Sequence, residues 1–272
     1  MMTWSIALRL CRVVLGIMLL LVTLLAAEGV AQTAPGNAVL LELFTSQGCS
    51  SCPPADRLLT DLADSPELRG KIVPLAFHVD YWNYIGWRDP FSDKQWSERQ
   101  QHYSEAFKSS RIYTPQMVVN GSMEFVGSDR KRARREIAAA LEAPPLATIE
   151  IELARDEERA DLIVAHIRVS LLRPVSVKEL DVMVAAFESR LETTVTRGEN
   201  ARKTLHNNFV VRLLTKIHTL APATTDSWEG EIPVKALQGW KEPHLGIAVF
   251  LQDPDTRKVY AAAQHRLEVA VQ

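Results

Sequence analysis

Cys49-Ser50-Ser51-Cys52 is the part of this sequence whose chemistry is most readily named. Two thiols three positions apart can close a disulfide, exchange it with another, or supply half of a four-ligand zinc site. Ahead of them runs AVLLELF, Ala38 to Phe44, and behind them a helical pattern from Ala55 to Leu62 with Leu58, Leu59 and Leu62 on one face. Pro53 and Pro54 fall near the helix start, where missing N–H groups are tolerated. A strand entering C-x-x-C at a helix N-terminus makes the sulfurs unequal. Cys49 is expected at the exposed end, where unpaired N–H groups and the helix dipole favour a thiolate, and Cys52 lies one turn in. Cys49 would attack a substrate disulfide and Cys52 would resolve the mixed disulfide. The intervening serines bring hydroxyls and no charge, so the expected thiolate stabilisation is modest.

Competing readings are weighed on the same residues. Zinc would need more ligands, and the sequence has no second cysteine pair and no histidine pair at ligand spacing, so neither metal nor other cofactor is expected. A permanent bridge stays open, although closing so short a loop removes little chain entropy. Glu42 interrupts an apolar strand. Beneath the cysteines it would accept the Cys52 proton; at a half-exposed strand end it would form an ordinary ion pair. Thr114-Pro115 opens a short apolar run, where a cis peptide would present backbone to an extended substrate and a trans turn is the plainer option. Between these motifs, DYWNYIGWRDPF (Asp80 to Phe91) concentrates aromatics. They either pack an insertion or form a docking wall that includes Trp82.

The elements that must position these groups follow from apolar periodicity. A second buried strand is expected over Ile72 to Val79, completing a βαβ crossover, and a polar helix from about Ser92 to Phe107. Short strands at Gln116 to Val119 and Met123 to Val126 flank Asn120-Gly121, a hairpin signal. A helix from about Asp129 to Leu141 then stops before Pro144-Pro145. Beyond it, period-2 alternation at 147–153, 161–169, 181–187, 209–216 and 246–252 predicts an antiparallel sandwich. The polar run Arg197 to Asn208 reads as a solvated hairpin loop, or as a segment facing Cys49. His78 reads as structural.

The 272-residue chain has ordinary globular composition, 47% hydrophobic and 24% charged, with a formal charge of −2. Such a balance recommends neither nucleic acid nor an anionic membrane as partner. Arg9 and Arg12 precede an apolar run from Val13 to Ala27, followed by small residues ending Gly29-Val30-Ala31, the order of a cleavable signal peptide. The run is 15 residues long, short against the roughly 20 that a membrane span requires. Cleavage after Ala31 would discard Cys11 and leave two cysteines in an oxidising compartment.

The stretches LELFTSQGCSSCPPAD (Leu41 to Asp56), HVDYWNYIGWRDPF (His78 to Phe91), YTPQMVVNG (Tyr113 to Gly121) and RGENARKTLHNNFVVR (Arg197 to Arg212) together resemble the DUF1223 family of secreted bacterial proteins with a thioredoxin-like domain. The resemblance implies a thioredoxin fold with its dithiol at Cys49 and Cys52 and a cis proline at Pro115. It implies no settled substrate. Gly48 stands where thioredoxin itself has Trp, and the loop before Cys49 is about one residue longer, so substrate selection is expected to differ. The expected architecture is α/β plus all-β: a leader over 1–31, a thioredoxin-like domain over 32–145 and an antiparallel β-sandwich over 146–272. The expected function is periplasmic or secreted thiol–disulfide oxidoreduction. Glu42 would serve proton transfer, with Gly48, Trp82, Thr114 and Pro115 at the substrate. Expected partners are protein or small-molecule thiols and disulfides and a redox partner that resets the pair; a membrane enters only through the leader. The alternative is a binding or assembly protein stapled by the same bridge.

Overall fold

The structure, a computed structural model, describes residues 38–155, 159, 162–235, 240 and 244–267. The leader and its expected cleavage site lie outside them. β1 (Val39–Thr45) and β2 (Ile72–His78) are buried along their whole length and pair in parallel, from Val39 opposite Ile72 to Thr45 opposite His78. Burial on both faces is why their sequences are continuous apolar runs. The crossover is α1 (Pro53–Asp64), which buries Ala55, Leu58, Leu59 and Leu62. Each such leucine contributes roughly 2 kcal/mol of apolar burial.

α2 (Lys94–Ala106) covers the other face. The Asp93 side chain caps it by accepting the Gln95 N–H, and its Trp96 and Tyr103 pack edge-on against Phe77 and Phe44. β3 (Gln116–Val119) and β4 (Met123–Val126) extend the sheet antiparallel beyond β1. Asn120 and Gly121 turn between them with φ of 45° and 60°, and the Asn120 side chain accepts the Leu40 N–H at 2.8 Å. A Cβ at Gly121 would come within 1.9 Å of the Arg257 carbonyl oxygen, so only glycine fits. α3 (Arg130–Glu142) follows, capped by Asp129.

The C-terminal strands do not close on themselves as a separate sandwich. β10 (Val210–Leu220) joins the free edge of β2 in parallel, and Phe209 O accepts the Ala76 N–H at 2.7 Å. β7 (Leu180–Glu188), β12 (Leu245–Gln252) and β13 (Val259–Arg266) continue outward. Among the described residues this gives one eight-stranded sheet, in the order β13-β12-β7-β10-β2-β1-β3-β4, that runs across the boundary expected after Pro145. A three-stranded sheet of β5 (Ala147–Arg155), β6 (Leu162–Leu171) and β11 (Ser227–Lys235) covers one face of the extension. The described residues belong to one compact unit.

The reason lies in residues such as Leu245–Gln252, every one of them buried. Ala248 and Phe250 join the core shared with α1 and α2, whereas Ile247, Val249 and Leu251 join the core beneath the three-stranded sheet. A sandwich strand would leave one of those faces to solvent. β8 (Leu191–Thr194) and β9 (Thr204–Asn207) form a two-stranded ribbon of their own.

Candidate functional site

Cys49 and Cys52 form a disulfide at the start of α1, with their Cα atoms 5.5 Å apart. Cys52 is the N-cap residue, and Pro53 and Pro54 occupy the first helical positions. Two of the N–H groups that a helix N-terminus normally offers an anion are therefore missing. The Ser51 hydroxyl lies 3.3 Å from Cys49 Sγ, and the Thr114 carbonyl oxygen lies 3.9 Å from it. The Thr114–Pro115 peptide is cis. Trp82 closes the near side by donating its indole N–H to the Thr114 hydroxyl at 2.7 Å. At Gly48 a Cβ would approach Trp82 Cβ to 3.1 Å and Trp82 O to 3.2 Å, so a large side chain there would displace Trp82. Cys49, Cys52, Gly48, Trp82, Thr114 and Pro115 are thus brought together. The rest of the aromatic loop mostly packs: Trp87 donates to the Gln47 side chain, Tyr81 to Gln100, and Phe91 meets the His78 ring, while Tyr84 is 85% exposed.

The expected exposure of Cys49 is not found. It is 1% exposed, and the tip of the β8–β9 hairpin is hydrogen-bonded to the backbone around it. Fully buried Asn200 donates its amide to both Gln47 O and Cys49 O at 2.9 Å, while its own oxygen accepts from Lys203. The Glu199 carboxylate accepts the Ser50 N–H at 2.9 Å, and hydrogen bonding to the Ser50 side chain and to this N–H lowers its pKa. Gln47, next to the site, also donates to Asn207 at 2.9 Å. Of the two readings of Arg197 to Asn208, the segment facing Cys49 is the one observed. Composition alone could not separate them, since a polar loop looks the same whether it meets solvent or backbone.

Glu42 is not brought to Cys52. Leu43 converges with Ala55 of α1 and Pro115 around Gly127, so alternation turns Glu42 to the α2 face. There it is fully buried, 2.6 Å from Arg99 Nε, and accepts the Tyr103 hydroxyl. Burial, together with the nearby Glu42, holds the Tyr103 pKa above its ordinary value. The ion-pair reading therefore describes Glu42, in the interior and not at a strand end.

Thr45, two residues on from Leu43, shares its face, and so does His78, its parallel partner in β2. Asp56 lies beside them, one helical turn after Cys52 on the same side of α1. Burial pushes its carboxyl up to about 6, partly offset by His78 and Thr45. His78 Nδ1 sits 2.7 Å from Asp89 Oδ2, which also accepts the Gln47 N–H at 2.7 Å, and His78 Nε2 is buried with no hydrogen-bond partner among the described residues. Burial opposes both charges, yet their mutual attraction prevails: the His78 pKa is raised and the Asp89 pKa lowered. Asp56 and Asp89 escaped the sequence reading. The four-residue step from Cys52 to Asp56 was a usable signal; the His78–Asp89 pairing was not.

A family described as "Protein of unknown function (DUF1223)" matches residues 40–252. The chain belongs to this family. Thioredoxin of Methanocaldococcus jannaschii is 28% identical over 97 residues, covering 36% of this chain and 88% of that protein. A crystal structure of a protein from Agrobacterium tumefaciens is similar over 86% of this chain and 96% of its own, with 27% identity and a TM-score of 0.62. HBP35 of Porphyromonas gingivalis matches 86% of this chain and 77% of its own with a TM-score of 0.63; at 15% identity the likeness is one of fold. The DUF1223 chain thus has a thioredoxin-like α/β fold carrying a Cys49–Cys52 disulfide within a larger sheet. Among its described residues no helix is long and apolar enough to cross a membrane.

Proposed function

We propose that the protein is an exported thiol–disulfide oxidoreductase that exchanges disulfides with protein or small-thiol substrates through Cys49 and Cys52. The observation that carries this is the disulfide at the start of α1 beside the cis Thr114–Pro115 peptide, with Thr114 O 3.9 Å from Cys49 Sγ. Export rests on the basic, apolar and small residues of the first 31 positions.

In the reducing direction the Cys49 thiolate attacks one sulfur of a substrate disulfide. A mixed disulfide forms, and the other substrate sulfur leaves as a thiolate that takes up a proton. Cys52 then loses its proton, attacks Cys49 Sγ, forms the intramolecular bond and expels the second substrate thiolate. The substrate gains two electrons and the dithiol loses them. Cys52 is fully buried, so its proton needs a nearby acceptor. We assign that role to Asp56, which at neutral pH is mostly ionised yet has a pKa pushed up to about 6. Protonated His78 would hold positive charge beside it, opposed in part by Asp89.

A second reading is favoured by one observation, the burial of Cys49: the bridge would be a staple in a binding or assembly protein. The midpoint potential in glutathione buffers, together with trapping by Cys52→Ser, separates the two. Exchange predicts a potential above about −300 mV and mixed disulfides on Cys49. A lower potential with nothing trapped would leave the staple.

A further inference from the structure

We propose that the tip of the β8–β9 hairpin is a latch over Cys49, admitting a disulfide carried on an extended peptide segment and excluding one held within a folded protein. The proposal rests on the oxidoreductase reading above and adds the substrate class. In thiol–disulfide exchange the attacking, attacked and leaving sulfurs come into line, so a second sulfur must reach Cys49 Sγ, and Cys49 is only 1% exposed. Two residues of the hairpin tip hold the backbone around that sulfur. Asn200 fastens the backbone on both sides of Gly48 through Gln47 O and Cys49 O, and Glu199 fastens Ser50. Their partners lie about 150 residues away in sequence, so these bonds serve the site and not the hairpin's own turn.

The ribbon that carries them is hydrogen-bonded as a strand to neither larger sheet, but its base is held, with Leu191, Val195 and Leu205 buried and Asn207 bonded to Gln47, so the latch that opens is the tip from Gly198 to Asn200. Beside the tip, where a Cβ at Gly198 would meet Ile85 O at 3.4 Å and Trp87 Cβ at 3.1 Å, the boundary has a different character. Tyr84 is 85% exposed and Ile112 is 47% exposed, and each stands two residues from a partner in the Trp82–Thr114 hydrogen bond. Apolar side chains beside the backbone of a cis peptide suit an extended, partly apolar segment lying along Thr114. A disulfide inside a folded protein would bring bulk against Asn200 and Glu199 before its sulfur reached Cys49.

The test compares the reduced protein on two probes: an octapeptide whose single cysteine carries a nitrothiobenzoate disulfide, and folded insulin. Wild type should prefer the peptide by a far larger factor than dithiothreitol does on the same two probes, a reference that removes the effect of the better nitrothiobenzoate leaving group. Glu199→Ala, at an exposed position, should raise the insulin rate about three- to tenfold relative to the peptide rate, the range expected for one net hydrogen bond, and Asn200→Ala, which removes two, about ten- to a hundredfold. An unchanged ratio in both variants, or a wild-type preference no larger than that of dithiothreitol, would overturn the latch. Reaction with neither probe would instead remove the oxidoreductase reading itself.

Discussion

Replacing Asp56 by asparagine tests whether the group beside Cys52 carries a destabilising charge kept for proton transfer. Burial pushes the Asp56 carboxyl from 3.8 to about 6. At about 1.4 kcal/mol per unit, ionising it in the folded protein costs about 3 kcal/mol more than in the unfolded chain. Partial exposure of the side chain reduces the net gain for asparagine to about 1–2 kcal/mol. A carboxyl whose folded pKa exceeds its unfolded one costs nothing where both forms are protonated. The cost grows as pH rises from 3.8 through about 6 and is complete above. Urea unfolding of the oxidised protein should therefore show Asp56→Asn close to wild type at pH 4 and about 1–2 kcal/mol more stable at pH 8. In a melt at pH 8 that is a gain of a few degrees, at about 2–4 °C per kcal/mol. The same variant, reduced, should resolve its mixed disulfide at least tenfold more slowly at pH 7, because Cys52 has lost its acceptor. A variant less stable than wild type by equal amounts at both pH values would refute the reasoning, since Asp56 would then contribute hydrogen bonding and no ionisation cost.

Two further substitutions probe the buried charges. Glu42→Gln should cost about 3–5 kcal/mol in urea unfolding, because it leaves the Arg99 guanidinium buried without its anion. Disulfide exchange in the folded variant should stay near wild type; selective loss of exchange at unchanged stability would return Glu42 to the chemistry. Asp89→Asn should cost a similar amount, since His78 loses its counter-charge and Gln47 a strong acceptor. The Asp89 contribution is present above pH 3.8 and lost as pH falls through its lowered folded value; the His78 contribution is present below pH 6.5 and lost as pH rises through its raised one. Thermal melts across pH 3 to 9 should show the wild type's advantage over Asp89→Asn largest between those limits, and a flat difference would contradict the pairing.

Much of the α/β half was legible because its signals are local. β1 and β2 are apolar because both faces are covered, Asn120-Gly121 turns because its φ values are positive, and a strand leading into C-x-x-C announces the helix. Asp129 sits at the cap where the helix was expected to begin. The C-terminal strands were legible one by one at 147–153 and 246–252, but their partners were not. An alternating or apolar strand carries no label saying which sheet edge it will join.

The sequence by itself determined the cysteine pair at a helix start, the proline after Thr114 and the leader's pattern of charge and apolarity, but not the burial of Cys49. Tertiary structure decided the rest. Pleating, which one residue of register would reverse, turned Glu42 toward Arg99 and Thr45 toward Asp56. The union of β10 with β2 merged the two halves into one sheet and set the β8–β9 hairpin, with Glu199 and Asn200 at its tip, over Cys49. Cys49 and Asn200 are separated by 151 positions, and a hydrogen bond across that distance leaves no periodicity in the chain to be read.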